Sequence, residues 1–143
     1  MLRLWQQQLC MYLESPNKLT FVHSTNSDGK SYICDYLLKL DRKKYCVSPQ
    51  AYLVNDVKVY VDRVKRSEWN GDVLIFDNYI QNENDRIQID RFMSILMKDL
   101  QPKHILIFTN LLGDPKEVYS VTKRFIDIFI IDDSKLIKIL IDS

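Results

Sequence analysis

Leu19-Thr20-Phe21-Val22-His23-Ser24-Thr25-Asn26-Ser27-Asp28-Gly29-Lys30-Ser31 is the stretch whose reading decides the fold. Its first five residues form a short apolar run with strand character, and residues 24–30 are a polar loop. From Ser31 to Leu40 the spacing of Ile33, Leu37 and Leu40 predicts a helix with one apolar side. A turn that passes from a strand straight into a helix leaves the first helical amides without intrahelical partners. Those amides and the positive end of the helix dipole form a cradle for an anion. The chain has 3 glycines, so Gly29 at this turn marks a place where the backbone bends sharply or approaches something closely.

On the N-terminal side, Leu2, Leu4, Trp5, Leu9 and Leu13 recur near helical spacing, which predicts an amphipathic helix over 2–14, closed by Ser15-Pro16-Asn17. On the C-terminal side, Lys43–Val47 reads as a short strand. Residues 54–65 fit two periods. Val57, Val59 and Val61 alternate as in a strand, while Val54, Val57, Val61 and Val64 share one helical face. Asn55-Asp56 supply an N-cap and an acidic first turn, which favours the helix. Gly71 opens a strand, Asp72-Val73-Leu74-Ile75-Phe76-Asp77. A polar loop over 78–86 leads to a helix over 87–99 carrying Ile89, Phe92, Met93 and Leu96, and Pro102 stops it. His104–Thr109 is a buried strand ending at Asn110, and Phe125–Ile131 and Leu136–Ile141 are β-rich runs joined by a turn at Asp133-Ser134. Continuous apolar strands alternating with helices predict a three-layer α/β fold, a mainly parallel sheet covered on both faces, with an antiparallel C-terminal edge.

A chain of 143 residues, 46% hydrophobic and 27% charged, is expected to form a single domain over 1–143 with its own core. A net charge of +1 neither advertises nor excludes nucleic acid. Cys10, Cys34 and Cys46 have no paired spacing, and His23 and His104 sit in apolar runs, so neither a disulfide framework nor a zinc site is expected. Apolar runs fall short of the ~18 residues that cross a bilayer. Arg3 and Gln6-Gln7-Gln8 interrupt what would be a signal sequence. The expectation is a soluble intracellular protein of a reducing compartment, with no membrane partner.

Ser24-Thr25-Asn26-Ser27-Asp28-Gly29-Lys30-Ser31 follows the P-loop pattern, a small residue and four free positions before Gly-Lys-Ser/Thr, with Ser24 where glycine is usual. In such a loop the backbone holds phosphates, Lys30 reaches the β and γ phosphates, and the Ser31 hydroxyl sits on Mg²⁺. Val73–Asp77, four apolar residues ending in a carboxylate, reads as the strand whose acid helps hold the metal. The expected ligands are ATP or another nucleoside triphosphate and Mg²⁺.

His104–Thr109 ending in Asn110 lies after Asp77 by one helical crossover, and this order resembles the superfamily 3 helicase domain of replication-associated (Rep) proteins of small circular single-stranded DNA viruses and their satellites. Trp5-Gln6 is similar to the tryptophan-glutamine start of that domain. Gln101-Pro102-Lys103-His104 to Asn110, with Leu112-Gly113-Asp114-Pro115, is similar to its motif C and proline-containing follow-on. Ser120 to Phe125, running into 128–132, is similar to its serine-x-aspartate-arginine segment and closing strand. The resemblance covers nearly the whole chain. It implies that Lys30 and Ser31 hold phosphate and magnesium, that Asp77 acts on the metal through its water shell, that Asn110 senses the γ-phosphate, and that Arg124 is an arginine finger acting on a neighbour's nucleotide. It also implies a ring-forming homo-oligomer on single-stranded DNA, in a host nucleus or cytoplasm.

The chain departs from that pattern in several places. Asn78 follows Asp77 where many ATPases place a second acid; an amide cannot accept a proton, which leaves Asp77 or Glu83 as the base. Residues 78–103 hold a polar loop and one helix without the family's basic, glycine-containing hairpin. No nearby histidine pair and no suitable tyrosine helix of a nicking domain precedes the P-loop. Arg42-Lys43-Lys44 and Arg63-Lys65-Arg66 either touch phosphates or form solvated faces. Two readings follow: a helicase-like ATPase, or a degenerate P-loop domain acting as a non-enzymatic interaction or regulatory module. A nucleotide kinase fits less well, because no arginine-bearing lid is visible.

Overall fold

Strands that must bury both faces are rich in apolar side chains at successive positions, and the central strands here are, with Thr20, His23 and His104 as buried polar exceptions. The structure, a computed structural model, describes residues 2–15, 18–23, 29–48, 57–80, 83–109, 126–132 and 135–139. In chain order the elements are α1 (Leu4–Tyr12), β1 (Lys18–His23), α2 (Lys30–Leu40), β2 (Tyr45–Ser48), α3 (Val57–Arg66), β3 (Val73–Ile80), α4 (Glu83–Asp99), β4 (His104–Thr109), β5 (Ile126–Asp132) and β6 (Lys135–Ile139). They build a 6-stranded sheet in the order β2-β3-β4-β1-β5-β6. All neighbours are parallel except β5 and β6, which pair antiparallel.

Alternate residues of β1, β3 and β4 face opposite layers. Phe21, Leu74, Phe76, Ile105 and Ile107 pack on Tyr60, Val61 and Val64 of α3 and on Phe92, Met93 and Leu96 of α4. Val22, Val73, Ile75, Leu106 and Phe108 pack on Trp5 and Leu9 of α1 and on Ile33 and Leu37 of α2. Each such side chain taken from water contributes about 1.5–3 kcal/mol, so the two layers share the driving force for one sheet. This is the three-layer, P-loop NTPase-like α/β architecture, with helices on both faces and an antiparallel C-terminal edge.

Of the ambiguous valines, Val57, Val59, Val61 and Val64 lie in helix α3, where Val61 and Val64 are buried and Val59 is exposed, while Val54 and the N-cap expected at Asn55-Asp56 lie outside the described residues. Some boundaries differ from the sequence expectation. β2 starts two residues later and ends one residue later than the run Lys43–Val47 suggested. β3 continues through Ile80 rather than giving way to loop at 78, and α4 starts at Glu83 rather than 87. Between the pairs Phe76↔Ile107 and Ile80↔Thr109, β3 advances four residues while β4 advances two, so the regular ladder ends just before Asp77. Among the described residues from 73 to 109 there is strand, helix and strand, with 81–82 between the first two.

His104 is not surrounded by apolar groups alone. Its Nδ1 meets the Ser15 carbonyl at 3.0 Å, and since a carbonyl only accepts, Nδ1 carries the proton. Nε2 of the neutral ring then accepts from Thr20 Oγ1 at 2.8 Å. Both side chains are buried, and the pair ties β1 to β4 and to the chain leaving α1.

Candidate functional site

Helix α2 starts abruptly after β1. Gly29 is its N-cap, with φ 90° and ψ 24°, in the left-handed region that favours glycine. The Gly29 carbonyl accepts the first helical bond from the Ile33 amide at 3.2 Å. A glycine cap offers no side-chain oxygen to the first amides, and no acid stands in the first turn of α2. Among the described residues no side-chain oxygen caps the positive end of the helix, and Lys30 adds a full charge to it.

Lys30 is 6% exposed, unusual for a lysine, and it interacts with its surroundings. Its charge is felt at the tip of β1, where burial first and Lys30 second push the His23 imidazole below its ordinary range. His23 is buried, and its Nδ1 has no hydrogen-bond partner among the described residues. Burial, with help from Asp77 and Asp35, raises the Cys34 thiol far above its ordinary range, only partly offset by Lys30. Cys34 therefore stays a neutral packing thiol, facing the same cluster of charge.

Ser31 follows on the exposed side of α2, and its Oγ donates to Asp77 Oδ2 at 3.1 Å. The two residues are 46 apart in sequence: Ser31 lies in α2, the helix that follows β1, and β1 is separated by β4 from β3, which carries Asp77. Asp77 Oδ1 is buried and has no hydrogen-bond partner among the described residues. A hydroxyl beside a carboxylate with an uncommitted buried oxygen is a donor set that suits a hard cation such as Mg²⁺. The residues present therefore fit the metal implied by the sequence.

Gly29, Lys30, Ser31 and Asp77 are thus brought together. Ser24, Thr25, Asn26, Ser27, Asp28, Asn110 and Arg124 lie outside the described residues, as do the side chains of Asn78 and Glu83. Of the basic runs, Arg42 and Lys43 are exposed, Lys44 pairs with Glu14 at 3.1 Å, and Lys65 and Arg66 are exposed on α3. Sequence reasoning gave no role to Gln6, whose Nε2 donates to the Gly29 carbonyl at 2.9 Å. The only signal available was its place beside Trp5.

No protein-family model and no curated protein matches the chain. Among solved structures it is similar to AMPPCP-bound DnaA from Aquifex aeolicus, with 14% identity and a TM-score of 0.47 over 89% of this chain and 45% of that one. The chain thus spans less than half of that protein's length, and a likeness this distant carries no argument about ligand or role.

Proposed function

We propose that the chain is an ATP-binding, Mg²⁺-dependent P-loop ATPase domain with a helicase-like role in a replication initiator, working as a ring of copies on single-stranded DNA. The observation that carries the nucleotide part is the Ser31 Oγ to Asp77 Oδ2 contact at 3.1 Å, at the foot of a helix whose glycine N-cap supplies no side-chain bond and which also bears Lys30. A chance Gly-Lys-Ser tripeptide has no reason to meet the acid of a second strand. The replication role rests on the resemblance of Trp5-Gln6, Val73–Asp77 and His104–Asn110 to the Rep helicase domain.

In this reading the first amides of α2 bind phosphate oxygens, and Lys30 neutralises the charge that builds between the β and γ positions. Ser31 Oγ and the Asp77 carboxylate would hold the cation, Asp77 through the cation's water shell. Mg²⁺, when bound with the nucleotide, draws charge from the phosphate oxygens and so weakens the bond to the leaving group. Asn110 and Arg124 would sense the γ-phosphate and act across a subunit boundary.

Lys30→Ala tests the site. Binding of a fluorescent ATP analogue (mant-ATP) with Mg²⁺ should weaken by about a hundredfold or more, because a desolvated charge pair is lost. Unchanged affinity would remove the assignment. A second reading, nucleotide binding without turnover in a regulatory module, is favoured by Asn78 standing directly after Asp77. Phosphate release measured with and without single-stranded DNA separates the two: tight binding with no turnover in either case selects the module.

A further inference from the structure

We propose that Gln6 is a positioning residue that aims the Lys30 amide at the phosphates and so couples the seating of α1 to nucleotide occupancy. This rests on the nucleotide reading above and adds a residue that motif matching does not assign.

Gln6 is buried, and both ends of its amide are engaged. Oε1 accepts from the Arg3 amide at 2.7 Å and Nε2 donates to the Gly29 carbonyl at 2.9 Å. The orientation is fixed by chemistry, since a backbone N–H can only donate and a carbonyl only accept. With the Ile33 amide at 3.2 Å, the Gly29 carbonyl has two donors for its two lone pairs. The peptide joining Gly29 to Lys30 is planar and trans, so its C=O and N–H point in opposite directions. Holding the carbonyl towards Gln6 therefore holds the Lys30 N–H outward, at the mouth of the cradle. Glycine at φ 90° is the residue most free to let that peptide turn, and Gln6 removes the freedom. The two are matched in space as well, because a Cβ on Gly29 would lie 2.8 Å from Gln6 Nε2.

α1 is anchored elsewhere too. Trp5 meets Phe108 of β4 edge to face at 6.4 Å, and Gln8 Oε1 accepts from the Leu136 amide of β6 at 2.9 Å. One helix thus rests on the phosphate turn, on the strand leading to Asn110, and on the C-terminal edge. If seating α1 tightens the grip on phosphate, phosphate must tighten the seating of α1 by the same factor.

The test uses the full chain, mant-ATP with Mg²⁺, and amide hydrogen exchange. Gln6→Met keeps the volume and removes both bonds; it should weaken mant-ATP binding about tenfold, the scale of one hydrogen bond, and speed exchange at the Lys30 amide of the free protein. Gln8→Met cuts the β6 anchor of α1 without touching Gly29, and should weaken mant-ATP binding clearly less than Gln6→Met does. Equal affinity in wild type and Gln6→Met, or equal loss in both variants, overturns the proposal while leaving the nucleotide site standing. A wild-type protein that binds no mant-ATP overturns both. Should Gln6→Met not fold, the wild type decides alone: saturating mant-ATP must slow exchange of the α1 amides about tenfold, and unchanged protection overturns the coupling.

Discussion

At Gly29 two requirements fall on one residue: a left-handed backbone and room for the Gln6 amide. Gly29→Ala meets neither. The strained backbone costs about 1–2 kcal/mol, and the new methyl must push Gln6 off its carbonyl. The urea midpoint of Gly29→Ala should therefore fall, and mant-ATP affinity should fall with it; an unchanged midpoint would mean that the turn relaxes freely. His23 ends β1 within reach of the Lys30 charge, and its burial and that charge both disfavour the imidazolium. The sign follows from proton counting. As pH falls, the unfolded chain takes up a proton near the ordinary value of 6.5, before the folded one does. The stability this group contributes is complete above 6.5 and is lost as pH falls through the lower, folded value. The urea midpoint should drop between about pH 7 and pH 5, above the carboxylate range, and His23→Gln should flatten that drop. A profile identical in the two proteins would place the titrating group elsewhere.

At the scale of elements, the Thr20–His104 bond shows how β1 and β4 hold their register inside a dry sheet. Thr20→Val keeps the shape and takes from Nε2 the hydroxyl that donates to it. Thermal unfolding should show a loss of about 1–3 kcal/mol; a neutral result would mean that the pair adds nothing beyond packing. Leu19–Val22, Val73–Phe76 and Ile105–Phe108 were legible as buried parallel strands because both faces of each are covered, which leaves continuous apolar runs. The end of β3 was not, because Asn78-Tyr79-Ile80 follows an acid that ends the apolar run, and pairing resumes only beyond the irregularity, at Ile80↔Thr109. The start of α4 was hidden for a related reason. Glu83-Asn84-Asp85-Arg86 holds no apolar residue, so periodicity detects the helix only from Ile87. Within the site, Gly29-Lys30-Ser31 announced itself through local chemistry, and Asp77 as the acid that ends the apolar run Val73–Phe76. Gln6 could not be read this way. Its contact spans 23 residues and depends on how α1 lies across the second layer, which no local pattern encodes.

For the molecule as a whole, the proposed ligand site and the fold draw on the same groups, so stability tests the site. A ligand that binds only the folded state adds about 2.7 kcal/mol at a hundredfold excess over Kd, which for a domain of this size raises Tm by roughly 8 °C. Asp77 sets a conflict between the two. Its Oδ1 is buried without a hydrogen-bond partner among the described residues, a cost to the empty fold that, on the proposed reading, the cation's water shell would relieve. Asp77→Asn keeps the shape, removes the charge and still offers an oxygen to Ser31 Oγ. The free variant should therefore melt no lower than wild type, and about 1 kcal/mol higher if the whole cost is relieved. Its Mg²⁺-dependent gain in Tm with ATP should shrink sharply, while the smaller gain with ATP alone, held by Lys30 and the α2 amides, should persist. Thermal melts of both proteins, free, with ATP and with ATP plus Mg²⁺, decide the matter. A variant that melts lower when free yet keeps the full Mg²⁺ increment would mean that Asp77 serves the fold and that the cation is held by other groups.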